Sequence, residues 1–288
     1  MVRFLLVFAL FLLAAPAAAQ TFQSDRISVE TRGRGPDVIL IPGLASTPAV
    51  WRDTAARLEG RYRLHLVTVR GFGQVPPGAN ARGRLDQPVA AEIARYIETR
   101  RLDRPAVIGH SMGGQVALRL AADAPERVGR LMIVDSVPFM GALVDATTTH
   151  ADMRPLADIA YGAVMLLGDA AWAGDNSAVE RTLGGMANTP LGMLGWGHGD
   201  RRVLAQGLYE VLSNDLRPRL GRVSATVTVV YGWHQGMTLT RAEVDAIVRR
   251  NFQGLPREAR FTRIDGADHM VMMAQPARFA TAVERFLD

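Results

Sequence analysis

One short segment of this chain has the residue types and spacing of a nucleophilic site. Residues 109–114 read G-H-S-M-G-G and place Ser111 between glycines. The apolar residues 106–108 before it predict a buried strand, and the spacing of residues 112–122 predicts a helix. On a sharp turn between a strand and a helix, a serine hydroxyl stands at the sheet edge beside the free N–H groups of the helix. This context favours a nucleophilic Ser111, and the alternative is a glycine-rich turn whose serine has no chemical role.

The composition excludes several other kinds of chemistry. The 288 residues contain no cysteine, and all 33 basic residues are arginine. Thiolate nucleophiles, disulfides and lysine-based mechanisms are therefore excluded. The net charge of +5 is spread along the chain with no long basic run, which argues against a nucleic-acid partner. No dinucleotide or phosphate-loop motif and no metal-ligand cluster is present, so the sequence predicts neither a cofactor nor a metal.

The elements that would position Ser111 alternate between strand and helix. Continuous apolar runs such as residues 38–41 are typical of strands buried on both faces of a parallel sheet. Alternation of such strands with helices predicts an α/β fold, with a mostly parallel sheet and helices on both faces. The predicted strands are residues 27–30, 38–41, 64–69, 106–108, 131–134, 226–231 and 260–264. The predicted helices of this core are residues 47–58, 88–99, 112–122, 241–249 and 276–287.

The alternation is interrupted in the middle of the chain. Residues 137–222 show no clear strand, and residues 155–167, 178–186 and 201–214 have helical spacing. The sequence therefore predicts a core made of residues 20–136 and 223–288, with a helical insertion between its two parts.

The first residues have the features of a secretory signal peptide. Arg3 precedes an apolar run over residues 4–15, and three alanines end at Ala19. We expect residues 1–19 to be removed by cleavage before Gln20, which predicts a secreted or periplasmic protein without a stable membrane span. The alternative is an uncleaved N-terminal anchor, although the run is short for a membrane span.

Taken together, these motifs resemble the α/β-hydrolase family, in particular its esterase-like branch with a helical cap. Three segments besides the Ser111 turn carry the resemblance over about residues 27–287. They are I-P-G-L at residues 41–44, R-G-F-G at residues 70–73 and G-A-D-H-M at residues 266–270. Pro42 stands where the family usually has a histidine. The resemblance implies that residues 137–222 form the cap over a serine-hydrolase site.

The resemblance also implies a base for the serine, which is a weak nucleophile without one. Of the six histidines, only His269 lies in the loop before the last helix, where the family places its catalytic histidine. We therefore predict that His269 is the base, and the alternative is a histidine of a surface loop. His65 and His110 are predicted to be structural.

The third member of the site is harder to assign. The commonest family pattern places an aspartate after the late strand, where this chain has Gln235. A second family solution places the acid after the strand that follows the nucleophile helix, and Asp135 occupies that position. Asp135 is the predicted acid, while Asp265, Asp268 or a dyad without an acid are the alternatives.

The family geometry further implies an oxyanion hole and a substrate pocket. The backbone N–H groups of Leu44 and Met112 would stabilise the oxyanion. The insertion would supply an apolar acyl pocket, although its apolar residues could instead pack the insertion onto the sheet. The predicted lining residues are Phe139, Met140, Met165 and Trp196.

Three kinds of function are compatible with such a site. The first is a carboxylesterase that hydrolyses small apolar esters through an acyl-enzyme at Ser111. The second is a non-hydrolytic enzyme of the same fold, such as a perhydrolase-type haloperoxidase or a lyase. The third is a member that binds a ligand with little turnover. Dehalogenases and epoxide hydrolases of this fold use an aspartate nucleophile, which Ser111 argues against.

Overall fold

Seven strands form a single sheet in the computed structural model, which describes residues 22–167 and 199–288. Their spatial order is β1–β3–β2–β4–β5–β6–β7. Only β1 is antiparallel to its neighbour, and the other neighbouring pairs are parallel. The strands are Ile27–Gly33 (β1), Asp37–Ile41 (β2), Arg63–Val69 (β3), Ala106–His110 (β4), Arg130–Val134 (β5), Thr226–Trp233 (β6) and Arg260–Asp265 (β7).

Helices cover both faces of this sheet, and the predicted α/β fold is confirmed. One face packs against α2, α3 and α5, and the other packs against α1, α7 and α8. The helices described are Arg52–Leu58 (α1), Asp86–Thr99 (α2), Met112–Asp123 (α3), His150–Leu167 (α4), Arg201–Ser213 (α5), Arg241–Asn251 (α6), Val271–Ala274 (α7) and Pro276–Leu287 (α8).

The central strands are buried because their sequences are apolar on both faces. Residues 38–41 of β2 are at most 1% exposed, as expected for a strand between two helical layers. The edge strand β1 is mostly exposed beyond Ile27, and its alternating sequence matches that position. Trp51 and Phe279 stack across the second face, where α8 presents its apolar side.

Small differences separate the predicted elements from the observed ones. The predicted helix over residues 47–58 begins as a 3-10 turn, Pro48–Trp51, before α1. Pro48 opens this turn, and Thr47 caps it by accepting from the N–H of Ala49. The short helix α7 was not predicted, because four residues carry too little periodicity to identify.

Between β5 and β6, the described residues of the 137–222 segment contain the helices α4 and α5 together with turns and short 3-10 helices. Helix α4 packs against α5, and α5 packs in turn against α3 of the core. At the start of the second described range, the chain contacts the R-G-F-G turn of residues 70–73. Asp200 donates its N–H to the Gly71 carbonyl, and Phe72 forms a β-bridge with Gly199. The predicted helix over 178–186 and the predicted signal peptide over 1–19 lie outside the described residues. In residues 22–167 and 199–288, no helix is long and apolar enough to cross a membrane.

The pairing of β4 with β5 determines where the candidate site forms. His110 is the register partner of Val134, so the residues that follow, Ser111 and Asp135, leave the sheet side by side. Parallel strands end at a common edge, where α/β proteins bind their ligands. The loops after β2 and β7 lie at this same edge of the sheet.

Candidate active site

Ser111 occupies a strained turn between β4 and α3. Its backbone has φ of 53° and ψ of −123°, a conformation that costs a non-glycine residue about 1–3 kcal/mol. The turn closes only because glycines flank it. A Cβ atom on Gly109 would lie 2.2 Å from the Gly113 carbonyl oxygen, and one on Gly113 would lie 2.4 Å from the carbonyl oxygens of Ile41 and Pro42. The sequence motif is therefore a steric requirement of this turn, and such stored strain clusters at functional sites.

Asp135 follows β5 directly and is fixed by two neighbouring strands. Its N–H donates to the Val230 carbonyl at 2.7 Å, and its Oδ1 accepts from the Gly232 N–H at 2.9 Å. Its own φ is 44°, which is unusual for a residue other than glycine. The end of β6 therefore holds the carboxylate in one orientation and leaves Oδ2 for another partner.

That partner is His269, in the loop between β7 and α7. Its Nδ1 lies 2.7 Å from Asp135 Oδ2. A carboxylate on Nδ1 fixes the proton there, so that Nε2 carries the free lone pair of the neutral ring. His269 Nε2 is buried and has no hydrogen-bond partner among the described residues. It is therefore free to accept a proton, and the base–acid half of the predicted site is assembled.

No hydrogen bond joins Ser111 to His269 in the structure, although the residue before Ser111 contacts His269. The ring of His110, the residue before Ser111, lies 4.6 Å from the His269 ring, centroid to centroid. The hydrogen bond between a nucleophile and its base is often long without substrate and shortens in the complex. The structure thus brings all three predicted residues to one edge, and their catalytic roles remain predictions.

His110 makes a contact that the sequence did not reveal. Its ring is 1% exposed, and its Nε2 donates to the carbonyl oxygen of His269 at 2.9 Å. Burial lowers its pKa to about 3, with a smaller contribution from the charge of His269. His110 is therefore neutral at physiological pH and attached to the loop that carries the candidate base.

The predicted oxyanion donors lie where the I-P-G-L loop meets α3. Neither the Leu44 nor the Met112 N–H donates a hydrogen bond within the part of the chain that the structure describes. A Cβ on Gly43 would lie 3.1 Å from Ser111 Cβ, so this loop passes directly beside the serine. Met112 is the first residue of α3, whose positive dipole end favours a negative charge there.

The alternative acids have other partners. Asp265 pairs with Arg263 and Arg241, and Asp268 Oδ1 accepts from the N–H of Met270 at 3.0 Å. Neither forms a hydrogen bond with His269 in the described chain. Among the alternatives considered from sequence, the structure joins only Asp135 to the histidine.

The remaining described histidines lie in separate environments. His65 is buried between Asp37 and Tyr96, which fits its predicted structural role. His150 contacts the Ser213 carbonyl, and His234 accepts the N–H of Gly236. His198 lies outside the described residues. Across residues 22–167 and 199–288, no group of three His, Asp or Glu side chains could hold a metal ion.

The predicted pocket residues are only partly described. Phe139 is fully buried against Ala142 and Met153, and the Arg217 guanidinium lies 4.5 Å from its ring centroid. Two others, Met140 and Met165, are half-buried against the main core. Trp196 lies outside the described residues. The use of these side chains as an acyl pocket remains a prediction.

Helix α5 lies directly over the I-P-G-L segment of residues 41–44, the predicted oxyanion loop. A Cβ on Gly207 would lie 2.6 Å from Leu44 Cδ1, 3.2 Å from Leu85 Cδ2 and 3.4 Å from Met112 Sδ. The close approach of this helix therefore depends on a glycine. The insertion contacts the side chains of both residues whose N–H groups are the candidate oxyanion donors.

A buried polar cluster joins α5 to the core. Asp86 accepts from Arg119 at 2.8 Å and from Asn214 at 2.9 Å, and Glu210 accepts from the N–H groups of Leu85 and Asp86. Burial raises the pKa of Asp86 to about 6, against the opposing effect of the Arg119 charge. This cluster fixes α5 against α2 and α3.

Comparison with known proteins identifies the relatives of this chain. The model of a family described as the alpha/beta hydrolase family matches residues 38–282. A pimeloyl-acyl-carrier-protein methyl ester esterase of Nitrosomonas europaea is 40% identical over 112 residues, which are 39% of this chain and 42% of that protein. That alignment thus spans less than half of the relative. A protein of the same name from Nitrosospira multiformis is 25% identical over 90% of this chain and 97% of its own length.

The fold is also found among solved structures. An esterase from Exiguobacterium antarcticum superposes with a TM-score of 0.67 at 19% identity. The superposition covers 91% of this chain and 96% of that one. At this identity the likeness concerns the fold alone.

Proposed function

The chain belongs to the alpha/beta hydrolase family, and from that premise we propose that it is a serine esterase that cleaves carboxylic esters through an acyl-enzyme at Ser111. The observation that carries the proposal is the hydrogen bond of His269 Nδ1 to Asp135 Oδ2 beside the strained Ser111 turn. An idle serine on a glycine-rich turn would not require an oriented, half-buried histidine at the same sheet edge. The esterase names of the relatives support the same reaction.

In the first half of the reaction, Ser111 Oγ attacks the ester carbonyl carbon while its proton passes to His269 Nε2. The negative charge that develops on the carbonyl oxygen is stabilised by the N–H groups of Leu44 and Met112. Asp135 stabilises the imidazolium electrostatically and keeps its own charge. The tetrahedral intermediate collapses when His269 gives its proton to the departing alkoxide, which leaves as the alcohol.

The second half of the reaction repeats these roles with water. His269 Nε2 takes a proton from the water molecule, whose oxygen attacks the carbonyl carbon of the acyl-serine. Collapse of the second intermediate returns the proton to Ser111 Oγ and releases the carboxylic acid. The two steps need no group beyond the side chains and N–H donors at this edge.

The apolar side chains packed around the site support one class of substrate. The side chains of Leu44, Met112 and Leu85 meet α5 there, and all are apolar. We propose small esters with apolar acyl chains, and the relatives' names support methyl esters as the alcohol side. The segment 137–222 acts in this proposal as a cap over the acyl pocket.

An ester panel tests the proposal. We expect p-nitrophenyl butyrate and methyl butyrate to be hydrolysed with higher kcat/KM than the monomethyl ester of a dicarboxylic acid. Ser111→Ala supplies the background rate for each ester. Higher kcat/KM for the dicarboxylate ester would contradict the apolar pocket, and rates equal to those of Ser111→Ala for every ester would contradict the esterase.

The N-terminal sequence carries a separate proposal about location. Residues 1–19 have the features of a signal peptide, and we propose export with cleavage before Gln20. The intact mass of the protein recovered from the periplasm or medium should then correspond to residues 20–288. Recovery of the full chain from the cytoplasm alone would contradict export.

A further inference from the structure

His110 is a buried histidine that the reaction sequence above does not use. Its Nε2 lies 2.9 Å from the carbonyl oxygen of His269, and its ring packs 4.6 Å from the His269 ring, centroid to centroid. On its other side, a Cβ on Gly43 would lie 3.0 Å from His110 Nδ1. The ring thus contacts the oxyanion loop and the loop of the candidate base at once, and it precedes the candidate nucleophile in the chain.

The hydrogen bond determines the tautomer of this ring. A carbonyl oxygen can only accept, so His110 Nε2 must carry the proton that it donates. Because burial keeps the ring neutral, Nδ1 then has a lone pair and no proton. His110 is therefore a fixed, uncharged donor that points at the backbone of the residue whose side chain must be oriented.

Neutrality matters because of the groups that face this ring. His269 and Asp135 are the ionisable groups whose charges act on His110. A positive charge on His110 would repel the imidazolium that His269 becomes during the reaction, and it would compete for the Asp135 carboxylate. A neutral imidazole supplies the donor without either effect.

We propose that His110 is a positioning residue that holds the His269 loop so that Nδ1 stays on Asp135 and Nε2 is available to Ser111. The proposal rests on the proposed function for its catalytic consequence but not for its structural content. His110 holds the backbone of His269 through its carbonyl oxygen, and Asp135 holds its side chain through Nδ1. Two anchors on one residue restrict both the loop and the ring.

The first test needs no substitution. With ¹⁵N-histidine labelling, NMR of the intact protein at neutral pH should show His110 as the neutral tautomer protonated at Nε2. Observation of a proton on Nδ1 alone, or of a charged His110, would overturn the proposal. This result does not depend on whether any ester is hydrolysed.

The second test compares two substitutions at this position. His110→Gln keeps an N–H donor at about the reach of Nε2, and His110→Phe fills the space without a donor. We expect the downfield NMR resonance of the proton between His269 Nδ1 and Asp135 to persist in His110→Gln and to broaden or vanish in His110→Phe. We also expect kcat to fall about tenfold in His110→Phe, on the scale of one hydrogen bond, with KM little changed.

A control separates positioning from loss of stability. His65→Phe replaces another buried neutral histidine, 1% exposed and hydrogen-bonded to Asp37 and Tyr96. It should lower the unfolding temperature without changing the downfield resonance. If folded His110→Phe retains the resonance and its kcat, the positioning role is wrong. If the resonance is lost in His110→Phe but no variant or wild type hydrolyses esters, the proposed function fails and the positioning role stands.

Discussion

Asp135 and His269 lie 134 positions apart in the chain, and a 2.7 Å hydrogen bond joins Asp135 Oδ2 to His269 Nδ1. The bond connects the end of β5 to the loop after β7. Between them, the Gly232 N–H at the end of β6 holds the other carboxylate oxygen. Three consecutive strands of the sheet therefore determine the orientation of one imidazole ring.

From this relationship we predict that Asp135→Asn lowers kcat by roughly 10²–10⁴-fold with little change in KM, because the imidazolium loses its charge partner. The measurement is steady-state hydrolysis of p-nitrophenyl butyrate. Asp268→Asn is the matched control, since that side chain caps Met270 instead, and it should cost far less. The reverse ranking, with both variants folded, would contradict the assignment of the acid.

The position of Asp135 at this edge was accessible from sequence because parallel strands end at a common edge, while its predicted role as the acid came from the family resemblance. Asp135 directly follows the apolar run 131–134, as Ser111 follows the run before it. The register that aligns His110 with Val134 was not accessible, because the pattern of apolar residues does not distinguish neighbouring registers of strands buried on both faces. The contact of His110 with the His269 loop was missed because it depends on the backbone angles of the Ser111 turn.

The buried cluster around Asp86 was also missed, and for a similar reason. Its members come from α2, α3 and α5 and are separated by up to 128 positions, so no local spacing connects them. Helices α4 and α5 were predicted from periodicity alone. The contact of α5 with Leu44 at Gly207 depends on tertiary packing.

The neutral His110 should make the protein sensitive to acid. Its pKa is about 3 when folded, against an ordinary value of 6.5, so only the unfolded chain takes up this proton between pH 6.5 and 3. The contribution of the buried neutral ring to the free energy of unfolding is fully present above pH 6.5. It is lost as the pH falls, by at most about 1.4 kcal/mol per pH unit. Urea unfolding of wild type and His110→Gln at several pH values should show that the free energy of unfolding falls less steeply with decreasing pH in the variant. Parallel curves would contradict the burial of a neutral ring.

Asp86 should have the opposite pH dependence. Its pKa rises from 3.8 to about 6 on folding, so the folded chain binds more protons than the unfolded chain between these pH values. The stability that this proton binding provides is lost as the pH rises from about 4 to 6. Asp86→Asn removes this titration because the amide stays uncharged. The unfolding free energy of wild type minus that of the variant should therefore fall as the pH rises from about 4 to 6. A difference that is constant from pH 4 to 7 would refute the raised pKa.

Gly207 tests whether helix α5 acts on the oxyanion loop. In Gly207→Ala, the new Cβ meets Leu44 Cδ1 at 2.6 Å, so Leu44 must shift. We expect kcat to fall by up to about 10²-fold, the effect of losing one oxyanion donor. The matched control is Gly162→Ala in α4, where a Cβ meets nothing within 4 Å. It should leave kcat unchanged and raise stability by roughly 0.5–1 kcal/mol. Equal kcat in the two variants would show that α5 does not influence the site.

Covalent labelling tests whether Ser111 is the nucleophile. The protein is treated with a fluorophosphonate, and its intact mass and peptide masses are measured before and after. We predict one adduct per chain, on the peptide that contains Ser111, with labelling abolished in Ser111→Ala and slowed in His269→Ala. An adduct on any other residue, or equal labelling of Ser111→Ala and wild type, would show that Ser111 is not the nucleophile.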